Sequence, residues 1–518
     1  MSNKNELNIS EDEIERLYYE ALEQDNLPRR RENKLPKVIE EYVNDATKVS
    51  MYNGIPAALT FFNLLGQLCK DMVSIPGGPR RDDTRVHFLW MMTSGFGKSE
   101  MWNFYGPVCE YVFNELNEKY PMAVEEFPIH ENKEHAWESH FTTCEAADIN
   151  DAGLVGSMKV VEELVDDGDG GITRVEVPEQ IWGELEGDGL VAYDEFEYSG
   201  VFKQSQHKEN SVMYFNKLIN SKWGSSWKIP KRLLNGGMMW CCSQRSLYAT
   251  TYIPVMLAKL IAEKGIMQRC IIFIYEVPIS LQDEMRDRWV DEVGTIVNRD
   301  LPIVRHGNEF VKIYDALKVH YEANGSDPET TIKFGKGFND ALKNESWKMR
   351  NYITNSRPAV MDIASNFITR MLATMTRVAV LCCIAESAYM RDRSKRYIVT
   401  ARHVNQASSL TRQCYKSLVS WLDVALRAEK TSLEERAKTN DFKDAYNSLL
   451  EKGGTVNRQP LVIDGEWIHK RTLLAQVKET TGRGQATIYR YWKKGINKIF
   501  DTKKMGSGQP YVRLKKEE

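Results

Sequence analysis

The run Thr93, Ser94, Gly95, Phe96, Gly97, Lys98, Ser99 directly follows the apolar stretch Val86 to Met92, and no other feature constrains the fold as much. An apolar strand, a glycine-containing turn and a helix opening on Lys-Ser together aim backbone N–H groups at an anion. Gly95 and Gly97 would let the backbone approach phosphates, with Phe96 between them and Glu100 next along the helix. Lys98 would set a point charge near the outer phosphates, and Ser99 would offer its hydroxyl to Mg²⁺. The full pattern G-x-x-x-x-G-K-[ST] has glycine where this chain has Met92, so a turn restricted by a side chain is expected there.

A partner segment follows about a hundred residues later. Gly189 to Tyr193 is an apolar strand ending in Asp194 and Glu195. Asp194 is placed to hold the Mg²⁺ shell and Glu195 to act as general base on the attacking water. The pair predicts ATP hydrolysis. A third strand is expected over Gly237 to Cys242, with Gln244 at its tip, or alternatively Ser243, bonding the γ-phosphate or the lytic water. Arg269 precedes the apolar strand Cys270 to Tyr275, from where it could project toward the γ-phosphate of a neighbouring subunit.

At 518 residues, with 42% hydrophobic and 27% charged side chains, the chain can bury a sizeable core in two to four domains. There is no uninterrupted apolar run of membrane length, and the polar, acidic N-terminus is unlike a signal peptide. No membrane partner and a cytoplasmic location are expected, the host cytoplasm if the source is a virus. The nine cysteines show no C-x-x-C or metal-ligand spacing, so no disulfide framework or structural metal is expected. Asp166 to Gly171 reads as an exposed hairpin turn, because it lacks the acid spacing of a calcium loop.

The segments predict an α/β fold: a P-loop NTPase core, RecA-like or AAA+-like, with flanking helices and a C-terminal winged helix. The expected divisions are a polar segment over 1–34, helices over 35–80, the ATPase core over 81–279 and a helical lid over 280–428. A linker over 429–441 and the winged helix over 442–518 complete the chain.

Basic residues interleave with aromatics in Lys222, Trp223, Lys228, Lys231 and Arg232, around the turn Gly224 to Ser226, as suits a hairpin touching phosphates and stacking on bases. The net charge of −3 also conceals an asymmetry. From Lys470 to Glu518 there are thirteen Lys/Arg against four acids, so this tail carries +9 and the remainder −12. Helical patterns around Lys470 to Val477 and Ala486 to Lys494 flank a glycine-containing turn, and short β-like segments follow near Phe500 and Tyr511 to Leu514. Gln485, Thr487, Arg490, Lys494, Lys503 and Lys504 are the candidate DNA-facing positions.

From Leu35 to Leu426 the order of these segments resembles a family of P-loop ATPases of phages, plasmids and integrated elements, replicative or primase-associated helicases among them. The resemblance rests on the Leu35 to Ile39 helical start, Gly95 to Ser99, Tyr193 to Phe196, Gly265 to Arg269, and the helix carrying Arg370 and Arg377. It implies ATP and Mg²⁺ as cofactors, and a homo-oligomeric ring, a hexamer, moving on single-stranded DNA. It also implies a primase or initiator protein as a possible partner, and Arg370 or Arg377 as a nucleotide sensor.

Overall fold

Three of the apolar runs become strands of one parallel sheet. In the computed structural model the described residues are 34–50, 54–77, 80–92, 95, 97–120, 141–145, 156–166, 172–182, 188–194, 196, 219–220, 228–232, 238–242, 244–252, 266–277, 279–292, 300–392, 395–452, 455–456, 459–460, 462–463, 466–481, 484–494, 496–503 and 510–515. The chain divides into two units, Met1–Ala425 and Leu426–Glu518.

The first unit opens with α1 (Lys37–Val49) and α2 (Gly54–Leu68). The sheet strands are β1 (His87–Met92), β2 (Phe141–Glu145), β3 (Asp188–Tyr193), β4 (Arg245–Thr251) and β5 (Cys270–Tyr275). Their spatial order is β5-β1-β4-β3-β2, and every pair is parallel. All residues of β1, β4 and β5 are buried, which is why β1 and β5 read as continuous apolar runs instead of alternating. The loops that follow parallel strands open at one edge, where ligands of such sheets bind.

α2 is apolar nearly all round, and Asn63 and Gln67 on it bond to the sheet. Asn63 Nδ2 donates to the carbonyls of Val86 (2.6 Å) and Leu247 (3.0 Å), while the Tyr105 hydroxyl donates to Asn63 Oδ1 (2.7 Å). Gln67 Nε2 donates to the Gln244 carbonyl at 2.8 Å. Buried Arg85 pairs with Asp83, and buried Arg245 donates to the carbonyls of Thr142 and Leu190, so these charges are fully engaged at the amino edge.

α3 (Lys98–Lys119) follows the loop after β1. Beyond the sheet come α4 (Ile279–Glu292), α5 (Asp300–Ala323), α6 (Phe338–Ile353), α7 (Pro358–Ser387) and α8 (Ala401–Lys452). α7 is long and apolar enough to cross a membrane by length and composition, but 72% of its most apolar window is buried inside the fold. Arg377 within it is ion-paired to Asp82 at 2.9 Å, so α7 serves as a core helix. α8 runs unbroken through 429–441, where the sequence reading places a linker. Glycine and proline are absent from Ala401 to Lys452, so nothing interrupts its hydrogen-bond ladder.

Strands Gly156–Asp166 and Ile172–Trp182 pair antiparallel, as the expected hairpin requires; their joining residues lie outside the described set. Seven cysteines of the described set are free and buried.

In the second unit, β6 (Val462–Ile463), β7 (Trp467–His469), β8 (Phe500–Lys503) and β9 (Tyr511–Leu514) form an antiparallel sheet of order β6-β7-β9-β8. With α9 (Lys470–Thr481) and α10 (Gln485–Lys494) it encloses a core that includes Tyr446, Ile468, Leu474, Ile488, Trp492 and Phe500.

Candidate functional site

Met92 is the last residue of β1, fully buried and in register with Tyr275. It belongs to the strand, so a side chain there does not strain the turn, and the expected restriction at this position is corrected. The left-handed positions fall later, at Gly95 (φ 82°) and Gly97 (φ 95°), where a Cβ would be unfavourable. Gly97 caps α3, whose first residues are Lys98, exposed Ser99 and Glu100. Thr93, Ser94 and Phe96 lie outside the described residues. The Lys98 ammonium donates to the carbonyls of Met92 (2.9 Å) and Thr251 (3.0 Å), the carboxyl ends of β1 and β4.

Asp194 follows β3 directly and is exposed, and its Oδ1 accepts a hydrogen bond from buried Thr250 Oγ1. Because β4 lies between β1 and β3, Thr250 and Thr251 join the two halves. One hydroxyl holds the carboxylate while the next carbonyl holds the ammonium. Adjacent strands are about 4.8 Å apart, so the two charged groups share one mouth at the carboxyl edge. Burial, and secondarily the Asp194 carboxylate, push the Tyr248 hydroxyl well above its usual range. Glu195 lies outside the described residues.

Gln244 sits elsewhere. It precedes β4, and its backbone N–H donates to Asp188 Oδ1 at 2.8 Å, at the amino edge. The seven residues of β4 put about 20 Å between Gln244 and Lys98. That separation keeps Gln244 away from Lys98, and near the carboxyl end of β4 stands Thr250 instead. The reason is a misassigned strand: Met238–Cys242 pairs antiparallel with Lys228–Arg232 outside the main sheet, while Arg245–Thr251 enters it. The richer apolar run masked the real one; the β-branched and aromatic content of Tyr248 to Thr251 was the available signal. Ser243 lies outside the described residues.

Arg269 stands at the start of β5, hence also at the amino edge, about 17 Å from the carboxyl edge by the length of β1. It shares a polar cleft with Gln268, Arg370, Arg377 and Asp82. Burial, and then the neighbouring Arg370 guanidinium, lower the Arg269 pKa. Arg377 donates to Asp82 Oδ2 (2.9 Å) and the Asp83 carbonyl (3.1 Å), a structural role. Neither Arg370 nor Arg377 is brought to the Lys98 end of its own chain.

Lys222 and Trp223 lie outside the described residues. Lys228, Lys231 and Arg232 stand on the strand Lys228–Arg232, which pairs antiparallel with Met238–Cys242; the expected turn at Gly224 to Ser226 lies outside the described residues. In the second unit Gln485 and Arg490 are exposed on α10, Thr487 is half-buried, Lys494 ends the helix and exposed Lys503 ends β8; Lys504 is outside the described residues. Exposed Tyr489 and Lys493 share the Gln485 and Arg490 side of α10 and were not foreseen.

Among known proteins, the chain matches no family model and no curated sequence.

Proposed function

We propose that this chain is an ATP-driven DNA translocase or helicase, a P-loop ATPase that works as a homo-oligomeric ring, with a C-terminal winged helix for duplex DNA. The observation that carries the reading is the convergence of Lys98 and Asp194 on Thr250 and Thr251 at the carboxyl edge.

The residues fit a magnesium nucleotide. Two left-handed glycines leave the backbone open before a helix N-terminus, Lys98 supplies a cation, and Ser99 and Asp194 supply the hard oxygens Mg²⁺ prefers. Bound ATP with Mg²⁺ would supply the transferable phosphoryl group and the charge that polarises it. Lys98 would leave its two carbonyls for phosphate oxygens, Thr250 would keep Asp194 oriented, and Glu195 would take the proton of the attacking water. Arg269, with Arg370 beside it, lies too far from its own chain's Lys98 to act there. This supports service to a second copy's nucleotide, as the ring reading requires.

The exposed Gln485, Tyr489, Arg490 and Lys493 favour a second reading, an ATP-switched initiator that binds duplex DNA through the tail. Forked-DNA unwinding separates the two. A helicase unwinds and loses unwinding with Lys98→Ala; an initiator retains sequence-specific duplex binding with negligible unwinding in either protein.

A further inference from the structure

α6 buries Phe338, Glu345, Met349 and Ile353 along one face. Trp347 projects from the opposite face, 62% exposed. Lys343 lies four residues before it and Arg350 three after, so the three form a continuous stripe, with Asn344 and Asn351 alongside, all exposed. Among the described residues neither Lys343 nor Arg350 has an ion-pair partner. Of the two acids on the helix, Asp340 is confined to the first turn and Glu345 is turned inward at 1% exposure, paired with Lys348 (2.7 Å) and Arg412 (3.0 Å). That anchoring fixes α6 to α8, so the stripe sits on a rigid element.

We infer that Lys343, Trp347 and Arg350 form a contact stripe for single-stranded nucleic acid, with a base stacked on the indole and phosphates held by the two flanking cations. An aromatic set between cations and amides is what sequence-tolerant strand binding uses. A protein-docking face is expected to lack lysine at its centre. The inference takes from the ATPase reading only that the chain meets DNA, and it does not depend on hydrolysis.

The test uses the full chain and fluorescently labelled oligo-dT, with binding followed by anisotropy over a salt series. Trp347→Ala is expected to weaken binding about 5- to 150-fold, with Trp347→Phe largely restoring it. Lys343→Gln combined with Arg350→Gln should reduce the slope of log K against log salt by about 1.4, two phosphates at about 0.7 each. Duplex binding and DNA-free ATP hydrolysis, run in parallel, should not change. Unaltered oligo-dT affinity and slope in both variants overturn the inference. So does a Trp347→Ala protein whose main change is a smaller assembly by sedimentation, which would assign the stripe to contact between copies. Absence of ATP hydrolysis in every protein, with the Trp347 effect intact, would remove the ATPase reading and leave the stripe standing.

Discussion

Thr250→Val removes one hydroxyl and keeps the shape of a buried, β-branched strand residue. The buried hydroxyl donates to the exposed Asp194 carboxylate, so water can meet the vacated oxygen but cannot hold it in the orientation the strand imposes. Hydrogen bonds to charged groups are worth about 1.5–3 kcal/mol, and about 1.4 kcal/mol is a factor of ten. If the bond matters only when Asp194 must hold the metal shell, kcat for ATP hydrolysis should fall about 10- to 150-fold. The Mg²⁺ concentration giving half-maximal rate should rise as well, because the carboxylate is no longer fixed. Thr250→Ser keeps the donor and should restore most of both. Gln244→Ala, about 20 Å away at the other edge, should change the rate less than about twofold. Steady-state hydrolysis over a Mg²⁺ titration reads all three. A Thr250→Val enzyme with unchanged rate and metal dependence, or a Gln244→Ala enzyme as damaged as it, would refute the placement.

Asn63→Ala should cost about 2–4 kcal/mol, because it strips the Val86 and Leu247 carbonyls of a donor and the buried Tyr105 hydroxyl of its acceptor. A lowered urea midpoint with little change in slope is the expected reading, and an unchanged midpoint would contradict it. His87 accepts the Leu247 N–H on Nδ1 (3.2 Å). Burial first, then Arg85, Arg377 and Arg269, push its pKa well below 6.5. The unfolded chain therefore takes up a proton at this site before the folded one does. Stability should fall as pH drops below about 6.5, by up to about 1.4 kcal/mol per unit, until the folded pKa is reached. His87→Gln should flatten part of that slope in pH-dependent thermal unfolding, and an identical slope would remove His87 as the cause.

Much of the sheet was legible because buried parallel strands write themselves as unbroken apolar runs. Val86 to Met92, Gly189 to Tyr193 and Cys270 to Tyr275 gave β1, β3 and β5, and the paired glycines gave the left-handed turn before α3. What failed was any choice between two runs of similar character. Met238–Cys242 is more apolar than Arg245–Thr251, yet only the latter finds parallel partners on both sides, and that pairing is nonlocal. Choosing the wrong strand moved the polar tip from Thr250 to Gln244. Met92 differs from the sequence expectation for a related reason: the pattern counts residues, while the pairing with Tyr275 decides where strand ends and turn begins. The clustering of Arg269 with Arg370, a hundred residues later, needs the packing of α7 and has no local signal. The unbroken α8 shows the opposite limit, where local propensity without glycine or proline prevailed over a polar composition that resembled a linker.

The most direct test of the central claim is steady-state ATP hydrolysis by the intact chain and by Lys98→Ala, each with and without single-stranded DNA. The account predicts hydrolysis that DNA stimulates in the intact chain and that Lys98→Ala abolishes. Background hydrolysis in both proteins, or equal hydrolysis in both, would contradict it.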